Sequence, residues 1–105
     1  MSDKYGTYAK GYVESIVSGA TANATLVAAV AGSRVVVDQV FIATNGANNV
    51  NLESDATDLA PFWYLAANDH VELHDCHIKT AVGEALKWTT SAATNASIRV
   101  VYHFE

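Results

Sequence analysis

Residues 26–53 read LVAAVAGSRVVVDQVFIATNGANNVNLE, and the rest of the chain has to pack against this stretch. Val35 to Thr44 is crowded with β-branched residues, which lose side-chain freedom in a helix and suit a pleated strand. Two breaks bound it, Ala31-Gly32-Ser33-Arg34 before and Asn45-Gly46 after. Asn-Gly tolerates the positive φ of a type I′ turn and is a strong hairpin signal. The stretch therefore predicts a meander of three strands joined by two tight turns. Val50 and Leu52 alternate with Asn49, Asn51 and Glu53, so the third strand has one wet and one buried face.

Working outward, Tyr12 to Val17 reads as a first strand closed by Gly19, and Thr21 to Val30 as a second. The alanines there favour helix, but Thr21, Thr25, Val27 and Val30 oppose it. Beyond the meander, Ser54 to Asp58 is a loop and Leu59 to Ala67 a strand. Pro61 has no N–H to give a ladder, which places it at that strand's start or on a sheet edge. Val71 and Leu73 alternate with His70, Glu72 and His74, then the pattern breaks at Asp75-Cys76-His77. That predicts a short strand running into an irregular loop that ends at Gly83. Glu84 to Thr90 and Ile98 to Phe104 complete the set. The inward residues are expected to be Val17, Leu26, Val35, Val37, Phe41, Val50, Leu52, Phe62, Leu65, Val71, Leu73, Leu86, Trp88, Ile98, Val100 and Tyr102. About eight short strands at this spacing indicate a single antiparallel β-sandwich or barrel over residues 12–105. Residues 1–11 lack periodicity and read as a short flexible N-terminal arm.

The 105 residues make one domain, half of it apolar, so a core is available. Charged residues are 16% of the chain against a typical value of about 25%, which predicts that another chain covers part of the surface. The net charge is −5 and Lys and Arg never cluster, which argues against nucleic acid and anionic membranes as partners. The single cysteine, Cys76, excludes an intrachain disulfide and fits folding in a reducing cytoplasm. The first residues lack the apolar run of a signal peptide, and no apolar run is long enough for a membrane span.

Catalytic chemistry is not evident. His70, Glu72, His74 and Cys76 share one face of a regular strand and are zinc-ligand types, with His77 nearby. A strand spreads such residues over about 14 Å, too far for one ion. Cys76 lacks the surroundings of an activated nucleophile. Glu53, Asp55 and Asp58 gather near one loop in a pattern open to calcium but better explained as a solvated acidic loop. Trp63, Tyr64 and Trp88 suit a sugar platform or, preferably, a core or subunit interface. No catalytic, cofactor or metal residue is assigned.

From Ala22 onward the chain resembles small virion proteins of tailed phages. The residues that carry the resemblance are Leu26 to Gly32 entering the Val-rich strand, Leu65-Ala66-Ala67-Asn68, Ala81 to Leu86, Ser91 to Thr94, and a strand that ends the chain. At Asp69 to His74 the chain departs from the Gly-rich, apolar residues common there. The resemblance implies a jelly-roll-like sandwich and a non-enzymatic role. The leading expectation is a homotrimeric capsid decoration (cement) protein, made in the bacterial cytoplasm and placed on the capsid exterior. Its partners would be itself and the major capsid protein. The rival expectation is a host-recognition or tail-fibre module that binds carbohydrate. Lys4, Tyr5, Tyr8 and Lys10 of the arm are the candidate contacts with the shell.

Overall fold

The computed structural model describes residues 10–105, in which every regular element is a strand. The eight strands are β1 (Gly11–Val17), β2 (Thr21–Val27), β3 (Val35–Thr44), β4 (Asn48–Ser54), β5 (Thr57–Leu65), β6 (Asp69–Lys79), β7 (Leu86–Thr90) and β8 (Ala96–Phe104). They form two four-stranded antiparallel sheets, β1-β8-β3-β6 and β2-β7-β4-β5. Every connection except β4–β5 passes from one sheet to the other, which is the jelly-roll order. The expected all-β sandwich is the fold.

The meander is not. β2, β3 and β4 alternate between sheets, so neither Gly32 nor Asn45-Gly46 closes a hairpin. Gly46 has another role: a Cβ there would lie 2.5 Å from Thr94 Cγ2, so only glycine lets the β3–β4 crossover pass the β7–β8 loop. The true hairpin is Ser54 to Thr57, where Asp55 takes a positive φ of 47°. Asp and Asn tolerate that conformation better than most residues, but Asp55-Ala56 carries a weaker signal than Asn-Gly.

A bulge shared by β3 and β6 resets which residues face inward. Asp38 interrupts the β3 register against both neighbours, and opposite it β6 inserts Asp75, Cys76 and His77. Val35 and Val37 face in before the bulge, Val40 and Ile42 after it, and Phe41 is turned outward, against expectation. The segment expected to become an irregular loop continues as strand to Lys79, with Asp75 and His77 at positive φ. On β5, Ala60-Pro61 forms a bulge opposite the Asn51–Leu52 step. Trp63 and Leu65 point in, while Phe62, expected inside, is exposed. Pro61 sits on an edge strand, as its missing N–H requires.

Trp88, Leu86, Leu52, Val50, Ile42 and Val100 are fully buried between the sheets. Buried polar groups are paired: Thr80 Oγ1 accepts from Val35 N and Thr90 Oγ1 from Thr21 N, both at 2.9 Å. Asn48 ties down the β7–β8 loop, accepting from Ser91 N and Ala92 N and donating to Thr94 Oγ1.

Candidate binding face

The alternation on β1 puts Val13 and Val17 against the core and Tyr12, Glu14 and Ile16 outside. The outer face of β1-β8-β3-β6 is then built in cross-strand rows. One row is Ile16, Ser97, Ala43 and His70; the next is Glu14, Arg99, Phe41 and Glu72; the third is Tyr12, Val101, Gln39 and His74. Ile16 is 80% exposed and Tyr12 56%. These are large apolar groups for a free surface, although single exposed apolar residues are ordinary.

Arg99 centres the face. Its guanidinium bonds Glu14 Oε2 through Nε and Nη2, each at 3.1 Å, and lies 5.6 Å from the Tyr12 ring centroid. Hydrogen bonding from Tyr12, then from Arg99, holds the Glu14 carboxyl below its usual range. The hydrogen bond to Glu14 raises the Tyr12 hydroxyl. Phe41 stacks on His70 at 5.9 Å between centroids, and His74 Nε2 lies 3.1 Å from Glu72 Oε2. Hollows of about 330 and 340 Å³ flank the Ile16 and Ser97 side chains, one toward Phe41 and Arg99, the other toward Asn45, Asn68 and Asn95.

Below this face the chain entering β1 is anchored. Lys10 Nζ lies 3.2 Å from Asp38 Oδ2, and His103 Nδ1 lies 2.8 Å from the same oxygen. Asp38 is buried, which pushes its carboxyl up, but His103 and Lys10 together outweigh burial and hold it below the usual range. Lys10 is the one arm residue expected to contact a partner that falls among those described. Lys4, Tyr5 and Tyr8 lie outside them.

The remaining candidates are dispersed or already occupied. His70, Glu72 and His74 line the outer face as expected, but the bulge turns Cys76 inward, where Sγ reaches Val37 O at 3.4 Å. Burial raises the Cys76 thiol above its usual range. Among the described residues no group of three or more His, Cys, Asp or Glu side chains could hold a metal ion. Trp63 and Trp88 are core, the preferred reading, and Tyr64 alone of that trio is exposed, beside Phe62. In the acidic loop, Glu53 accepts from Asn23 and Thr89, Asp55 from Ala85 N, and Asp58 from Asn51. These carboxylates act as hydrogen-bond acceptors of the framework. Tyr12 reads from the sequence either as a partner anchor or as the start of the first strand, while Ile16, Phe41 and Arg99 carry no such reading. Their signal was the parity of β1, where Tyr12 and Ile16 share a face with Glu14.

No protein-family model matches the chain, and no curated protein matches it. Solved structures do. A chain of the acid-stable capsid of Helicobacter pylori bacteriophage KHP30 is similar with a TM-score of 0.58 at 11% identity, over 91% of this chain and 89% of that one. The nucleoplasmin-like N-terminal domain of Drosophila FKBP39 is similar with a TM-score of 0.52 at 10% identity, over 90% and 89%. A CBM36 domain of a xylanase from the hindgut metagenome of Trinervitermes trinervoides has a TM-score of 0.49 at 10% identity, over 92% and 97%. For the first two, at such identities, the likeness is one of fold.

Proposed function

We propose that the chain is a non-enzymatic virion protein of a tailed phage: a homotrimeric decoration protein that binds the outside of the assembled head and stabilises it. The observation that carries this reading is the outer face of β1-β8-β3-β6, where Ile16 and Tyr12 stand exposed on an edge strand whose entry leads to the N-terminal arm. An aromatic, an aliphatic and an arginine grouped at one place have the composition of a subunit contact. The resemblance to small phage virion proteins and the fold shared with a phage capsid chain support the setting. A closed trimer would use up this face and stop open-ended assembly. The arm, with Lys4, Tyr5, Tyr8 and Lys10, would reach the major capsid protein. Binding only to the assembled shell would stabilise the shell by mass action. The test is sedimentation of the purified chain, alone and with phage capsids that lack it. A trimer that co-sediments with capsids and raises their disassembly temperature is the expected result. A monomer that leaves capsids unchanged would sink the proposal.

A further inference from the structure

On the outer face of the second sheet the same hydrogen-bonded framework brings an amine, a carboxamide and a carboxylate together. Lys87 on β7 and Glu53 on β4 are direct cross-strand partners. A lysine facing a glutamate usually pairs with it, yet among the described residues Lys87 forms no ion pair with Glu53. Instead Lys87 Nζ lies 3.2 Å from the side-chain oxygen of Asn23, on the neighbouring strand β2. The amide nitrogen of Asn23 donates to Glu53 Oε1 at 2.9 Å and to Asp55 O at 2.6 Å. Glu53 is buried, and Thr89 Oγ1 fixes the same carboxylate oxygen from 2.8 Å. Asn23 reaches this position because its backbone is left-handed, at φ 51°, inside a register shift of β2 against β7. An amine, a carboxamide and a carboxylate are thus held in line on three adjacent strands.

We propose that Lys87 and Asn23 form an intramolecular isopeptide bond, with Glu53 as the proton shuttle. The neutral Lys87 amine attacks Asn23 Cγ, forming the new C–N bond as the carbonyl electron pair moves onto Oδ1. Once the new bond brings both nitrogens onto one carbon, the Glu53 carboxylate, already 2.9 Å from Nδ2, takes a proton from the lysine nitrogen and delivers one to Nδ2. The Cγ–Nδ2 bond breaks, the carbonyl re-forms and ammonia leaves, with Glu53 returned to its starting state. Amine and carboxamide become a secondary amide and ammonia, so no oxidant, metal or second substrate is needed. Preorganisation replaces the high temperature such an exchange requires in water. The positions lie 64 residues apart, so the bond would close a large loop and tie edge strand β2 through β7.

The experiment is intact-mass spectrometry and peptide mapping of the full chain, fresh and after incubation across a range of pH. The expected product is lighter by one ammonia, and its digest contains one branched peptide joining the segments around Asn23 and Lys87. Glu53→Gln keeps the shape and should leave the chain at full mass, as should Lys87→Arg. Circular dichroism confirms that both variants fold. The proposal is overturned if the folded wild-type chain keeps its full mass after prolonged incubation at every pH of the range. It is equally overturned if the ammonia loss persists in Lys87→Arg, which would place the reaction elsewhere, as at Asn45-Gly46.

Discussion

At Asp38 one buried carboxylate holds together three parts of the molecule: the chain entering β1, the β3 bulge, and β8 through His103. Because its folded pKa lies below the unfolded value, its contribution to stability is fully present above about pH 4. That contribution is lost as pH falls through the folded value. Asp38→Asn should therefore lower the melting temperature at neutral pH and flatten its decline on acidification. An unchanged slope from pH 5 to about pH 2 would mean that other carboxylates govern acid unfolding. Gly46 poses a different constraint, one of space. Ala there would drive a methyl group into Thr94, whose Cβ is only 3.1 Å from the added atom. Overpacking of this kind costs about 1–3 kcal/mol. A second substitution, Thr94→Ser, should recover much of the loss by removing Cγ2, as urea denaturation of the single and double variants would measure.

The strands themselves were legible because alternation and β-branching are local properties, and β8 is a case where both agreed. The faces of β3 and β6 were not, because their bulge shifts parity without leaving a mark in composition. Phe41 looks like a core residue in a strict period of two from Val35, and it is outside; Phe62 lies opposite in parity to Leu59, Trp63 and Leu65, and only its bulk suggested the core. Pairing was equally hidden. Asn45-Gly46 satisfies the local chemistry of a hairpin, but both flanking strands must bury a face, and the sandwich places them in opposite sheets. The candidate binding face was hidden for a related reason: Tyr12 and Arg99 meet only through the β1–β8 register, which links residues far apart in the chain. The β6 bulge also has a chemical consequence. It turns Cys76 into the protein, where burial raises the thiol above its usual range. At pH 8, Cys76 should react with a disulfide reagent several-fold more slowly than a free cysteine and reach the free rate on unfolding. Equal rates in the folded chain and in urea would place the thiol outside.

For the whole molecule, the proposed assembly assigns separate tasks to the outer face and the arm, and substitutions can divide them. Ile16 is so exposed that Ile16→Glu should change the stability of an isolated subunit by no more than about 0.5 kcal/mol. In a trimer built on that face, the same change buries a carboxylate without a partner, close to Glu14, and should release monomers. Deleting residues 2–9 should do the opposite. It leaves Lys10, its ion pair with Asp38 and all of β1 in place, so the trimer and its melting temperature should be nearly unaffected. Capsid binding should be lost, because in the proposed assembly the arm makes the contact with the shell. Sedimentation velocity separates monomer from trimer, and co-sedimentation with undecorated capsids reads attachment. If Ile16→Glu remains trimeric, the subunit contact lies elsewhere, with the exposed Phe62–Tyr64 pair on edge strand β5 as the next surface to alter. If the shortened chain still decorates capsids as well as the full chain does, attachment belongs to the sandwich and its loops.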